Sequence, residues 1–316
     1  MTPAGELLLR EIRRHGPVSF RRFMEVALYH PEHGYYRGPR DPFGKDGDFY
    51  TAEQVQPVFG ILMGAVVRSL FEEMGRPEDF TVVELGAGRG EMAEAFRQWR
   101  YVLIDHGRGE MPERFTGVVF ANEFFDALPV DVVVQSGDER RERLVGWDGE
   151  RFHWAEGGPA EMTWNLEEGQ TLEVNREAGL WLERVAARLE RGYLLAIDYG
   201  YTEKEIARFP QGTLMSYRRH TALEDVLAEP GERDITAHVN FTALERQAAQ
   251  AGFECVRLET LAQLLLRVGE ADQFAAALAA GSEVEVVRRR LQLKTLLFSM
   301  GEIFRVLLLR VGRSAS

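Results

Sequence analysis

The stretch Val82–Phe96, VVELGAGRGEMAEAF, constrains the fold more than any other part of the chain. An apolar run carries Glu84, three glycines follow at alternate positions (Gly86, Gly88, Gly90), and a run suited to a helix starts at once. Glycines permit a tight turn with unusual backbone angles and let a ligand approach the main chain without meeting a Cβ. Strand, glycine turn and helix in that order open a layered α/β sheet. The pattern is G-x-G-x-G, because position 91 is Glu, so it is not the fingerprint that receives a dinucleotide pyrophosphate. A carboxylate at position 84 suits a positively charged or amine-bearing ligand better.

The pattern around this loop predicts further α/β alternation. Strands are expected at 80–85, 101–105, 117–121, 193–198, 253–258 and 304–311, with helices at 90–99, 176–190 and 241–251. Before them, residues 4–15 and 20–29 read as short amphipathic helices, the second capped by Ser19, and 54–74 as another helix. Residues 30–48, rich in Gly, Pro and aromatics, read as loop. Residues 130–175 break the alternation: short apolar runs separated by Ser136–Gly137–Asp138 and Asp148–Gly149 suggest an inserted antiparallel meander. Thr260–Met300 looks helical. The expected division is an amino-terminal helical lid over 1–79 and a core over 80–316, with insertions at about 130–175 and 259–301.

A chain of 316 residues with 45% hydrophobic and 28% charged residues can bury a sizeable core. A net charge of -12 and a pI near 5.2 speak against nonspecific binding to nucleic acid or acidic membranes. They fit a basic protein partner or a cationic side chain as substrate. Cys255 is the sole cysteine, so an intrachain disulfide is excluded and a reducing compartment, the cytoplasm, is expected. The start of the chain carries Glu6 and Glu11 and has no long apolar run of a secretory signal, and no segment approaches the length of a membrane span. His30 and His33 have a proline between them and no evident third ligand, so no metal site is expected.

With Glu84 and its glycines, the loop resembles the signature of class I methyltransferases that use S-adenosylmethionine. The resemblance goes further. FRRFMEVALYHPEHGYY (20–36), GDFYTAEQVQPVFG (47–60), ANEFFDALPV (121–130), LLAIDYGY (194–201), GTLMSYRRH (212–220), PGERDITAHVNF (230–241) and MGEIFRVL (300–307) occur in order over nearly the whole chain. Together they resemble the MidA-like family, whose mitochondrial members are protein arginine methyltransferases acting in respiratory complex I assembly. That resemblance implies a doubly wound, Rossmann-like class I methyltransferase sheet, S-adenosylmethionine as cofactor, and a protein arginine as acceptor in a respiratory NADH–quinone oxidoreductase subunit. It leaves room for a homodimer. One departure stands out: only residues 106–116 bridge a gap where the family carries an additional helix and strand. Without that third strand the adenine-side wall is missing, and a non-catalytic assembly factor with the same fold stays open beside a small-molecule methyltransferase.

The resemblance distributes roles along the sheet. Glu84, Gly86, Gly88, Gly90 and Asn122 are the expected cofactor contacts, and Asp105 matches the position that holds ribose hydroxyls, since a carboxylate can accept both O–H groups. A guanidinium acceptor is a poor nucleophile, with a pKa above ~12, and must be held by carboxylates that orient one nitrogen. Glu123 and Asp126 are the candidates, placed on one face if a helical turn follows; the alternative is that Asp126 or Asn122 caps a turn before Pro129. Asp198 ends another strand at the same expected rim, and Tyr199 would cover the donor or pack. Asp234 and His238 could form a base relay with the imidazole poised near neutrality, and His220 is a candidate of the same kind. Asp48 and Phe49 belong to the expected lid.

Overall fold

Phe80–Leu85, the run before the glycine loop, is a strand buried at every position, as befits the interior of a parallel sheet covered on both faces. On one side it pairs in parallel with Arg100–Ile104, and on the other with Phe115–Asn122. Phe115–Asn122 pairs in parallel with Leu189–Tyr201, which pairs antiparallel with Phe304–Val311, which pairs with Phe253–Thr260. A short strand, Val239–Asn240, adds to Leu189–Tyr201. The mixed seven-stranded sheet therefore ends at Arg100–Ile104. Among the described residues no strand lies beyond Arg100–Ile104 in this sheet, so the third strand for which the short 106–116 bridge leaves no room is absent. The structure is a computed structural model that describes residues 1–37, 56–162, 164–218, 221–223 and 225–311.

The alternating residues Phe80, Val82, Val118, Phe120, Tyr193, Leu195 and Ile197 share one face of this sheet and pack with Val58, Phe59, Leu62, Met63, Val66 and Val67 of the helix Val58–Glu73. Each such fully buried side chain contributes roughly 1.5–3 kcal/mol relative to exposure. Register places Glu84 and Asn122 on the same face, at its carboxyl end. The layered α/β architecture expected from the sequence is the one observed.

Several elements differ in extent from expectation. The helix expected over 90–99 is a single turn, Ala93–Phe96, because the tight glycine loop and the strand at Arg100 leave little chain between them. The 176–190 helix stops at Ala186, and the strand expected at 193–198 runs from Leu189 to Tyr201. The 260–300 stretch breaks into Leu261–Gly269, Ala275–Leu278, Glu283–Lys294 and a π-helical segment Thr295–Met300.

The chain separates into two units, 1–50 with 126–178 and 202–238, and 51–125 with 179–201 and 239–316; this does not coincide with a boundary at 79. The first unit has its own core, in which Leu8, Phe20, Phe23, Met24 and Leu28 of the helices Pro3–His15 and Phe20–Tyr29 pack on Val130, Val132 and Val145. The meander thus shares a core with the amino-terminal helices. Ser19 caps the second helix, its hydroxyl accepting from the Arg22 N–H at 3.1 Å. The meander forms an antiparallel sheet of Asp131–Ser136, Glu139–Trp147, Phe152–Pro159 and Thr171–Val174, with Val18–Ser19 at its edge. A three-stranded sheet of Met215–Arg218, Thr221–Leu223 and Asp234–Thr236 completes the unit. No helix of the described residues is long and apolar enough to cross a membrane.

Candidate active site

Parallel pairing sets Leu85 beside Ala121, so the glycine loop and Asn122–Glu123 leave the sheet at adjacent strand ends. Ligand sites of open α/β sheets form outside such carboxyl ends. Gly86, Gly88 and Gly90 all have positive φ (69°, 47° and 80°). A Cβ on Gly86 would come within 2.9 Å of the Phe124 ring. The glycine is therefore required twice, by its backbone angle and by the aromatic ring against it. Phe124 in turn lies edge-on to Phe125 and Trp181.

Around this loop stand the expected cofactor contacts. Glu84 is 1% exposed, and the Tyr101 hydroxyl of the next strand donates a short hydrogen bond to its Oε2. A buried carboxylate held in one orientation by a phenol suits an ammonium group. Asn122 is 4% exposed; its Nδ2 donates to Glu123 Oε1 at 3.3 Å, while its buried Oδ1 has no hydrogen-bond partner. That orphaned acceptor calls for a donor the protein does not supply. Asp105 closes the next strand, with Oδ1 accepting the His106 N–H at 2.6 Å. A glycine cradle, a buried carboxylate, an orphaned amide oxygen and a partly exposed carboxylate form a donor and acceptor set that fits the amine and hydroxyls of S-adenosylmethionine.

Glu123 is half-buried and carries φ of 49°, a left-handed angle that non-glycine residues adopt rarely. Its N–H donates to the Ile197 carbonyl at 2.9 Å, which fixes the kink against the neighbouring strand. A helical turn does not follow, so the expected presentation of Glu123 and Asp126 on one helical face is not realised: the left-handed angle ends any helical path at its first residue. Asp198 is fully buried, with Oδ2 accepting the Phe125 N–H at 3.0 Å and Oδ1 the Tyr199 N–H at 3.1 Å. Tyr199 is half-buried and lies edge-on to Phe304.

Asp126, Asp234 and His238 belong to the other unit. There Asp126 and Asp234 are 5% and 2% exposed. The Tyr36 hydroxyl donates to Asp234 Oδ1 at 2.9 Å. Burial, then the charge of Asp234, with smaller contributions from Tyr29, Asp126 and Tyr35, raises the Tyr36 phenol well above its ordinary value. Tyr217 is raised for the same reasons, burial first and then Asp234 and Asp126. These two tyrosines were not among the sequence candidates; the GYY of 34–36 was the available signal. His238 departs from expectation: burial pushes its imidazole down to about 4. The ring packs edge-on to Phe209, and the His238 backbone N–H donates to Thr213 Oγ1 at 3.0 Å. It is not poised near neutrality, because that environment disfavours the charged ring. Asp48, Phe49 and His220 lie outside the described residues.

Residues 98–258 match a family described as "Putative S-adenosyl-L-methionine-dependent methyltransferase". The chain belongs to this family. It is 28% identical to the human mitochondrial protein arginine methyltransferase NDUFAF7 over 313 residues, covering 78% of this chain and 70% of the relative. Identity to the Drosophila melanogaster homologue is 27%, with the same 78% and 70% covered. A crystal structure from Burkholderia thailandensis with S-adenosyl-homocysteine bound superposes with a TM-score of 0.85 at 28% identity, covering 98% of this chain and 92% of that one. The protein is an S-adenosylmethionine-dependent methyltransferase.

Proposed function

We propose that the protein methylates the guanidinium of an arginine in a protein substrate, with Glu123 holding the acceptor. Bound S-adenosylmethionine supplies a methyl carbon on a sulfonium, so transfer forms a nitrogen–carbon bond as the carbon–sulfur bond breaks and one guanidinium proton leaves. Glu84 takes the amine of the cofactor, Asp105 its hydroxyls, and the backbone of Gly86, Gly88 and Gly90 its close approach. Asn122 Oδ1 accepts one further donor from the bound ligands. Asp198 acts as a positioning residue, locking the Glu123–Phe125 kink through the Phe125 N–H. Asp126 and Asp234 are buried carboxylates of the other unit, where Asp234 accepts from the Tyr36 phenol, and no cofactor contact is assigned to them. Tyr199 is assigned to packing.

The observation that carries this proposal is Glu123 itself. A glutamate in a left-handed conformation costs roughly 1–2 kcal/mol, and asparagine or glycine would fit the angle better. Strain of this kind gathers at functional sites. A carboxylate so placed beside the glycine cradle can orient a cationic acceptor, where alignment is worth up to ~7–11 kcal/mol. The arginine methyltransferase names of the relatives support the same acceptor. The MidA-like resemblance extends the proposal to a respiratory NADH–quinone oxidoreductase subunit as substrate, and the single cysteine supports a cytoplasmic location.

Mass spectrometry of proteins from cells with and without the gene tests the acceptor. Loss of a methylarginine from a respiratory subunit is the expected result. An intact set of methylarginines, with the purified protein methylating a small amine instead, would replace the protein acceptor by a small molecule.

A further inference from the structure

The sheet stops at Arg100–Ile104, so the outer side of the cofactor site has to be closed by something other than a strand. Residues 105–109 occupy the end of that last strand. Asp105 and Arg108 exchange backbone hydrogen bonds in both directions, each at 2.9 Å, which closes a tight turn over His106 and Gly107. Gly109 sits at φ 73°, and a Cβ there would lie 1.9 Å from the Leu103 carbonyl oxygen. The turn is thus folded flat against the strand it follows, in a way only glycine allows. Arg108 Nη2 then reaches back to the Gly88 carbonyl at 3.0 Å, tying the turn to the middle of the glycine cradle. Further along, Arg188 Nη1 donates to the Met111 carbonyl at 2.6 Å and anchors the rest of the bridge.

We infer that the Asp105–Gly109 turn is the outer wall of the adenosyl end of the site, and that Arg108 recognises the purine. A guanidinium is planar and stacks on aromatic faces. Arg108 spends one N–H on Gly88 and remains exposed. Its flat face is therefore available to a ring lying between the glycine cradle and Asp105. The short bridge then takes the place of a third strand. This inference concerns the cofactor alone and stands or falls independently of the acceptor.

Isothermal calorimetry of the full chain with S-adenosylhomocysteine and with 5′-methylthioadenosine tests it. The second ligand keeps the adenosyl half and lacks the amino acid. Arg108→Ala is expected to weaken both ligands by the same factor, about tenfold, the equivalent of ~1.4 kcal/mol. The melting temperature of the ligand-free protein should stay within about 2 °C, as for other surface substitutions. Arg108→Lys, which keeps the charge without the plane, should recover only part of the loss. Glu84→Gln should do the reverse, weakening S-adenosylhomocysteine while sparing methylthioadenosine. Affinities of Arg108→Ala within twofold of wild type, a loss confined to S-adenosylhomocysteine, or a loss matched by a fall in ligand-free melting temperature would each overturn the assignment.

Discussion

Glu123 follows the strand Phe115–Asn122 and Asp198 lies in the neighbouring strand Leu189–Tyr201, yet the structure treats them in opposite ways. Asp198 has no exposed surface, and both its oxygens accept backbone N–H groups. Glu123 keeps part of its surface, accepts from Asn122, and holds a backbone angle that costs energy. A buried carboxylate satisfied by main-chain donors braces a turn; a strained and partly open one keeps surface that a ligand can reach. Sequence chemistry is the same at both positions, so the distinction lies wholly in what surrounds them.

The largest expected effect falls on Glu123. Glu123→Gln removes charge but little shape, and turnover should drop by about 10²–10³, with S-adenosylhomocysteine affinity within a few-fold by calorimetry. Equal losses in both would move Glu123 into the cofactor pocket and erase the contrast. Asp198 should respond in stability. Asp198→Ala leaves the N–H groups of Phe125 and Tyr199 without their acceptor, and denaturant titration should show a loss of about 3 kcal/mol. A loss in activity with unchanged stability would make Asp198 a ligand group after all.

A third effect arises in the other unit. His238 titrates at 6.5 ordinarily and at about 4 in the folded protein. As pH falls below 6.5 the unfolded chain takes up a proton that the folded chain refuses. His238 therefore destabilises the fold progressively between those values and has no such effect above them. The loss should reach about 3 kcal/mol near pH 4, and His238→Gln should flatten that part of the stability profile. The smallest effect sharpens the comparison itself: Glu123→Gly relieves the left-handed angle and should raise stability by roughly 0.5–1 kcal/mol while abolishing turnover. A destabilised Glu123→Gly would show that the angle carries no strain.

The features legible in the sequence were those carried by local signals. Three glycines after an apolar strand announced the cradle, and the brevity of 106–116 announced the missing strand. The amide and acid of Asn122–Glu123 fell at a strand end because the preceding run ended there. What was not legible depended on contacts between distant segments. Tyr101 meets Glu84 only because their strands are neighbours. Tyr36 meets Asp234 across 198 positions of chain. The imidazole of His238 is displaced by burial that no short pattern records. The single-turn helix Ala93–Phe96 shows the converse, a good local propensity cut short by the strand that follows it.

The most direct test of the central claim is a crystal structure with S-adenosylhomocysteine and an arginine-containing peptide both bound. The homocysteine amine is expected on Glu84, the thioether sulfur near Asn122, and the peptide guanidinium hydrogen-bonded to Glu123. Cofactor bound at the cradle with Glu123 directed into solvent and the guanidinium held elsewhere would contradict that claim.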